Sequence, residues 1–439
     1  MSENAVLLVT YLFPPIGGPG VQRNLKYVKY LPKFNWDPWV LTVKHINYHV
    51  YDSSLLSEVR DPHKVIRTGS LDPLRLTSFM APSEQSVAGK QAVRNTRLSM
   101  TSLPVKAYRA LRDFVTFPDP QIGWVPFAYF RGLQVIRQHN IKAIVGAMEP
   151  ISDTLVAYLL SRKTGIPYLI DYRDSWTNDP YRPMPTRLHR WAHTKTEQVI
   201  VKHAAAITVF DECMRTELES SYPEVRGKVE VLPNGFDPAD LEGVVPQPKR
   251  SGKPFRIVYS GSLYSHHEAN LLPFLKALSA QPEETRALIE VIFIGQAYSE
   301  AQQQIDASGL SDQVKILGYH PHSDALSYLM SADASLLFVE PNNLSAITGK
   351  VFEYLMIGGP ILACIPPDGA CAKLLRKSGF ERYIVSPLSD RGIAQAIAEL
   401  FKSQGAATSS DPVQHFSRLA NTEKLARRLE AIALKATLV

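Results

Sequence analysis

Short apolar runs without polar alternation recur along this chain, each followed by a segment of helical periodicity, and near residue 255 the series starts again. The runs at 6–10, 39–43, 143–147, 168–170 and 206–210 read as strands. Helical patterns lie between them at 21–33, 125–138, 153–162 and 187–203. Strands with no polar face, joined by helices, belong to a parallel sheet covered on both sides. A second set of strands at 256–260, 288–294, 314–317, 334–338 and 361–364 alternates with helices at 268–279, 300–308, 322–330, 350–357 and 393–402. This predicts an α/β protein of two Rossmann-like, doubly wound domains. The 439 residues agree, since chains split into domains of about 200 residues or fewer.

The first domain is expected at 1–240, with an irregular insertion at about 69–117 that is rich in Ser, Thr, Pro and Arg. A Pro-, Gly- and Lys-rich linker follows at 241–254, and the second domain occupies 255–410. Residues 411–439 read as C-terminal helices that pack back on the first domain.

Composition excludes several classes. Apolar residues make up 45% and charged residues 21%, the balance of a globular chain. No apolar run reaches the roughly 18 residues of a membrane span. The opening MSENAVLLVTYLFPP has neither a basic start nor a small-residue cleavage site, so it reads as a first strand and not a signal peptide. Cys213, Cys364 and Cys371 are odd in number and lack CxxC spacing, which points to a reducing, cytoplasmic setting without a zinc site. The net charge of +6 fits an anionic partner or simply a basic surface. No nucleic-acid partner is expected.

The most informative segment for chemistry is 346–361, AITGKVFEYLMIGGPI. Lys350 opens a helix, and Glu353 is the one acid on its otherwise apolar first turns. A lysine can neutralise a diphosphate as a point charge, and a carboxylate can accept two hydrogen bonds from a ribose diol. A nucleotide-sugar carries both groups. The plain alternative for Glu353 is an acid stabilised by the helix dipole. Gly261 and Ser262 in YSGSLY follow a strand and can donate to a phosphate. Gly295 and Gly318-Tyr319 follow later strands of the same set and read equally well as turn residues, as does Asn234-Gly235.

Four elements of the first half also lie after strands or before helices. YLFPPIGGPGVQR, at 11–23, places Gly17 and Gly18 where backbone amides can approach an anion, with Arg23 as a phosphate contact or a surface residue. Its order is not G-x-G-x-x-G, which argues against a dinucleotide turn. FPDPQIGW, at 117–124, holds Asp119 as a candidate helix cap and Gly123-Trp124 as a candidate acceptor wall. DYRDSW, at 171–176, sets Asp171, Arg173 and Asp174 at a strand's carboxyl end, where ligands bind in open α/β sheets; an Arg–Asp pair that merely orders the loop is the alternative. Glu149 sits at the equivalent place after the preceding strand. There is no G-x-x-x-x-G-K-[ST], G-x-S-x-G, H-E-x-x-H or D-x-D motif, and no ligand-spaced histidine cluster, so no metal or other cofactor is expected.

Taken in order, F-P-P-x-x-G-G, P-N-G-F-D, S-G-S-L and T-G-K-x-F-E-Y-L-x-x-G-x-P-I-L resemble glycosyltransferase family 4, the retaining enzymes of the GT-B fold, across nearly the whole chain. FPDPQIGW and DYRDSW resemble a subgroup tied to bacterial polysaccharide assembly. Two departures stand out. The first acid of the family's E-x7-E pair would fall at Ser345, and Ser265-His266-His267 replace the Lys-Gly that commonly follows the glycine loop.

The resemblance implies two Rossmann-like domains facing each other across a cleft, with a nucleotide-diphosphate sugar on the second and a glycan or polyprenyl-linked acceptor on the first. Glu353 would then hold the ribose. Lys350, with the amides near Gly261, Ser262 and Gly295, would hold the diphosphate. Asp174, with Asp171 and Glu149, would serve the reacting end, and Gly17, Gly18, Arg23 and Arg173 the phosphate or acceptor loop. Basic residues at Arg94, Arg97, Lys106, Arg109 and Arg112, and a second basic-aromatic stretch at 181–195, fit a peripheral site on the inner, anionic face of a membrane or ordinary basic helices. Two competing classes are a GT-B sugar-nucleotide epimerase and a non-catalytic nucleotide-sugar-binding protein; Ser345 favours the latter.

Overall fold

The computed structural model describes residues 4–17, 19–44, 52–71, 114, 116–179, 182, 184–252, 254–403 and 411–437. The chain divides into two compact units, Met1–Pro233 together with Asn421–Val439, and Asn234–Ala420. Gly18, the cationic positions between Arg94 and Arg112, and nearly all of 69–117 up to Thr116 lie outside the described residues.

The first unit is a seven-stranded parallel sheet in the order β3-β2-β1-β4-β5-β6-β7. Its strands are β1 (Asn4–Val9), β2 (Trp36–Val43), β3 (Val65–Thr68), β4 (Ile141–Met148), β5 (Tyr168–Tyr172), β6 (Ala206–Val209) and β7 (Val229–Val231). Helices α1 (Pro19–Tyr30), α2 (Val125–Gln138), α3 (Ile151–Thr164), α4 (Arg187–His203) and α5 (Glu212–Ser221) connect them. The five strands read from the sequence are the central ones, buried on both faces, where apolar residues must run without a break. β3 and β7 escaped that reading because each is a short edge strand, partly exposed, with a polar or charged residue among its apolar ones.

The second unit is a six-stranded parallel sheet in the order β10-β9-β8-β11-β12-β13. It comprises β8 (Phe255–Ser260), β9 (Ile289–Ile294), β10 (Val314–Gly318), β11 (Ala334–Phe338), β12 (Ile361–Cys364) and the two-residue edge β13 (Ile384–Val385). The helices are α6 (Glu268–Ser279), α7 (Glu283–Ala287), α8 (Ala301–Ala307), α9 (His322–Met330), α10 (Lys350–Ile357), α11 (Ala370–Lys377) and α12 (Asp390–Lys402). The last helix, α13 (Arg418–Thr437), returns to the first unit. Leu425, Ala426, Leu429 and Ile432, spaced along one helical face, join the first unit's core.

Residues 241–254 are not a free linker but part of the second unit. Lys249 Nζ lies 2.7 Å from both carboxylate oxygens of Asp333, Arg256 Nη2 donates to Pro248 O at 2.8 Å, and Gln247 N donates to Ser327 O at 3.1 Å.

Each sheet has one topological switch point, where successive connections leave in opposite directions: between β1 and β4 in the first unit, and between β8 and β11 in the second. Loops at the carboxyl ends of those strands diverge and leave a crevice for a ligand.

Candidate functional site

In the second unit, β8 ends in Gly261-Ser262 at the switch point. The Gly261 φ of 115° lies in the region open to glycine, and a side chain there would meet Lys350 Cε at 2.4 Å. Gly295, at the end of β9, packs on the same loop, since a Cβ on it would come within 2.4 Å of Gly261 O. Two glycines therefore allow the β8 and β9 ends and the Lys350 side chain to occupy one small space.

The sequence of α10 explains how Lys350 arrives there. Val351, Phe352, Tyr354 and Leu355 are buried, so the apolar face anchors the helix on the sheet. Tyr354 Oη accepts from Ser260 N at 2.9 Å, which ties the helix to the last residue of β8. The helix ends where Gly358 N donates to Tyr354 O, ahead of Pro360 and β12. Lys350 then extends over the Tyr259 ring at 4.0 Å and donates to Tyr259 Oη and, at 3.5 Å, to Ser262 O. Its described acceptors are neutral oxygens. Burial draws its pKa down to about 7, against the carboxylates of Glu353 and Glu340, which work in the other direction. Ser262 keeps its hydroxyl without a partner among the described residues. A half-buried ammonium with no close counter-ion, beside a glycine loop, is arranged to receive an anion.

Glu353 lies one turn further along α10, and His322 Nε2 is 3.0 Å from its Oε1. One carboxylate oxygen is thus oriented by the first residue of α9, while the half-exposed group stays open to a ligand. Nothing in the sequence signalled His322, because its loop and helix are brought to Glu353 only by the sheet order.

Beside Lys350 is a second group of polar residues. His266 Nε2 is 2.8 Å and His267 Nε2 3.8 Å from Glu340 Oε1. Burial and the charges of Lys350 and His266 pull the His267 pKa down to about 3. His267 Nδ1 accepts from Tyr264 N at 3.1 Å, so the proton of the neutral ring sits on Nε2. That tautomer makes His267 a hydrogen-bond donor at this edge and leaves it without a lone pair there for a metal ion.

In the first unit the structure separates residues that the sequence placed together. Asp171 and Arg23 are buried against one another: Arg23 Nε and Nη2 reach the two Asp171 oxygens at 2.8 and 2.7 Å. Thr208 Oγ1 donates to the same carboxylate, and Arg23 spends its other donors on Pro233 O and Leu232 O. Burial opposes the Asp171 charge, but Arg23 overrides it and holds the carboxyl below its usual range. Both residues therefore stitch α1, β5, β6 and the segment after β7, with their charged groups set against one another. The spacing of Arg23 in α1 fitted a phosphate contact equally well, and only the fold turns it inward.

Arg173 donates to Met148 O, to Glu149 O at 2.9 Å and to Gly20 O at 2.8 Å, closing the β4 end against the start of α1. The Glu149 carboxylate is paired with Arg182. Asp119 caps the turn before α2 and also accepts from Ser152 N and Oγ at 2.8 and 2.7 Å, the packing alternative read from the sequence. Gly17 is buried in the loop after β1. Asp153, which the sequence did not single out, is fully buried in the first turn of α3. One of its oxygens accepts from Tyr11 N at 2.9 Å and the other has no partner among the described residues; burial raises its pKa well above the usual range. Asp174 differs from all of these. It is exposed just beyond β5, and no hydrogen bond or ion pair engages its carboxylate among the described residues.

Residues 78–235 match the family described as Glycosyl transferase 4-like domain, and residues 245–414 match Glycosyl transferases group 1. The chain belongs to the family-4-like glycosyltransferases of the GT-B fold. Among solved structures, this glycosyltransferase-family chain is similar to HepE of Anabaena, crystallised with UDP, at 14% identity and a TM-score of 0.56 over 99% of this chain and 98% of that one. It is also similar to the UDP-GlcNAc 2-epimerase of Methanocaldococcus jannaschii, at 12% identity and a TM-score of 0.54 over 97% and 99% of the two chains. Identities this low carry the fold alone. The 2-deoxystreptamine glucosyltransferase of Streptomyces kanamyceticus is 22% identical over 218 residues, which is 48% of this chain and 55% of that relative. The match therefore spans about half the length of the curated relative.

Proposed function

We propose that this chain is a retaining glycosyltransferase that moves a sugar from a nucleotide-diphosphate sugar to a glycan or polyprenyl-linked acceptor in surface polysaccharide assembly. The observation that carries the reading is the convergence of Lys350, the Gly261-Ser262 loop and Glu353 at the switch point of the second sheet. Lys350 and the amides near Gly261 and Gly295 bind the diphosphate, and Glu353 binds the ribose. Negative charge grows on the departing diphosphate in the transition state, and fixed donors already aimed at it lower the barrier. In this reading Lys350 carries that charge without a metal. The acceptor oxygen bonds to the anomeric carbon on the face from which the phosphate oxygen departs, and that oxygen takes the acceptor proton. Asp174, whose carboxylate has no hydrogen bond or ion pair among the described residues, orients the acceptor or the transferred sugar.

A peripheral location at the inner face of the membrane is supported by α4. Leu188 and Trp191 are 69% and 59% exposed on one face, flanked by Arg187, Arg190 and Lys195. No described helix is long and apolar enough to cross a membrane.

The deciding experiment is a screen of nucleotide-sugars for binding, followed by nucleoside diphosphate release with and without acceptor. Acceptor-dependent release supports transfer. Epimerised donor formed without acceptor would favour the epimerase reading. Donor binding with no turnover would favour a binding protein, the reading that Ser345 supports.

A further inference from the structure

A hollow of about 520 Å³ opens in the first unit at the carboxyl ends of β2 and β3, against the first turns of α2. Its walls are cross-braced. Lys44 N donates to Thr68 O at 2.8 Å, and Trp124 Nε1 donates to Thr68 Oγ1 at 2.7 Å, which joins both strand ends to the start of α2. Three cations line it, Lys44, Arg67 and Arg131, and among the described residues no acid does. None of the three forms an ion pair with a described residue. Arg67 is half-buried, and its guanidinium donates only to the neutral carbonyls of Pro14 and, at 3.4 Å, Val43. An arginine withdrawn from water without a carboxylate is unfavourable unless an anion completes the site.

The rest of the described lining is Thr68, Gly69, Pro126, Gln134, whose Oε1 accepts from Arg131 at 2.7 Å, and two aromatic rings. Phe127 and Phe130, on the outer face of α2, are 39% and 66% exposed, an unusual amount of aromatic surface to leave in water beside three cations. The bond from Arg67 to Pro14 O also links the hollow to the loop after β1, next to the switch point of this sheet. Free phosphate would use the cations and leave the aromatics unused. A neutral lipid would do the reverse.

We propose that this hollow binds an anionic amphiphile, a phosphate or diphosphate carried on an isoprenoid chain, with the phosphate on Lys44, Arg67 and Arg131 and the chain on Phe127 and Phe130. The identity of that amphiphile as carrier of the acceptor rests on the transferase reading above; the charge and shape of the hollow do not.

The test is calorimetric titration of the full chain with farnesyl phosphate, farnesol, inorganic phosphate and uridine monophosphate, with nucleotide-sugar binding measured on the same samples. Farnesyl phosphate should bind at least about tenfold more tightly than the other three, since each charge-assisted contact and each buried aromatic contributes on this scale. The exposed double variant Lys44→Gln/Arg131→Gln and the exposed Phe130→Ser should each weaken farnesyl phosphate about tenfold or more. Their thermal midpoints and nucleotide-sugar affinity should not change. Equal affinity for inorganic phosphate, tighter binding of uridine monophosphate, or indifference to both variants would overturn the proposal. If farnesyl phosphate binds as expected while no nucleotide-sugar does, the hollow stands and the transferase reading fails. If nucleotide-sugars bind and farnesyl phosphate does not, only the hollow is lost.

Discussion

Lys350 occupies the space that a side chain at Gly261 would need: a Cβ on that glycine would lie 2.4 Å from Lys350 Cε and 3.1 Å from its Nζ. The glycine loop and the lysine, 89 residues apart in the chain, form a single element whose parts cannot be altered separately.

Gly261→Ala should therefore act through Lys350. The φ of 115° alone makes an alanine there unfavourable by about 1–3 kcal/mol, and the clash moves the ammonium away from the loop. The variant should stay folded by circular dichroism and lose about tenfold or more in nucleotide-sugar affinity. Unchanged affinity would separate the loop from the donor site.

Lys350 should make donor binding depend on pH. Its pKa in the free protein is drawn down to about 7, and a bound diphosphate raises it, so binding at pH 8 takes up a proton. Calorimetry in buffers of different ionisation enthalpy reads that uptake directly. Affinity should fall as pH rises above about 7, and Lys350→Arg should flatten the profile. The folded pKa is lower than the unfolded one, so the unfolded chain binds more protons between them and this group's contribution to stability rises with pH in that window. Lys350→Met should accordingly stabilise the protein more at pH 6 than at pH 10, which denaturant titration at both values can check.

Glu353→Ala should remove the hydrogen bonds offered to the ribose. Loss of a charged acceptor corresponds to about 1.5–3 kcal/mol, or roughly 10- to 100-fold in nucleotide-sugar affinity. His322→Phe should have a smaller effect in the same direction, because His322 only orients the carboxylate from 3.0 Å. Isothermal titration of both variants with the same donor compares the two roles.

Asp174→Asn tests the reacting end. With no hydrogen bond or ion pair to a described residue to lose, the variant should keep the wild-type melting temperature and donor affinity while acceptor-dependent release of nucleoside diphosphate slows. Full activity removes Asp174 from the site.

Asp171→Asn should behave in the opposite way. It leaves the fully buried Arg23 guanidinium without its counter-charge, and breaking a buried pair costs about 3–5 kcal/mol. Chemical denaturation measures this loss, while donor affinity per folded molecule should be unchanged. The Asp171 carboxyl is held below its usual range, so the pair's contribution is complete above the unfolded pKa of about 3.8 and disappears as pH falls through the lower folded value.

Much of this architecture was legible in the chain. The nine inner strands announce themselves because a strand buried on both faces admits only apolar residues over its length, and the edge strand β10 was read from its short apolar run. The edges β3 and β7 did not, since one exposed side lets polar residues in and erases the signal, and β13 did not because it is only two residues long. Lys350 and Glu353 stood out as well, because a lysine and an acid interrupt an otherwise apolar helix. Arg23 and Asp171 stayed ambiguous for the complementary reason. A cation in a first helical turn and an acid at a strand end look the same in sequence whether they meet a ligand or each other.

By itself, then, the order of residues determined the two parallel sheets, the helix that presents Lys350, and the glycines that let a ligand or a side chain come close. Those properties follow from local periodicity and from what each backbone position tolerates. The tertiary structure decided which polar groups face one another. It set Lys350 over Gly261, His322 on Glu353 and Arg23 on Asp171, and it left Asp174 and the three cations around Phe130 without an ion pair among the described residues. Pairings of that kind depend on the order of strands in a sheet, and strand order is fixed by burial of the whole core rather than by any segment of the chain.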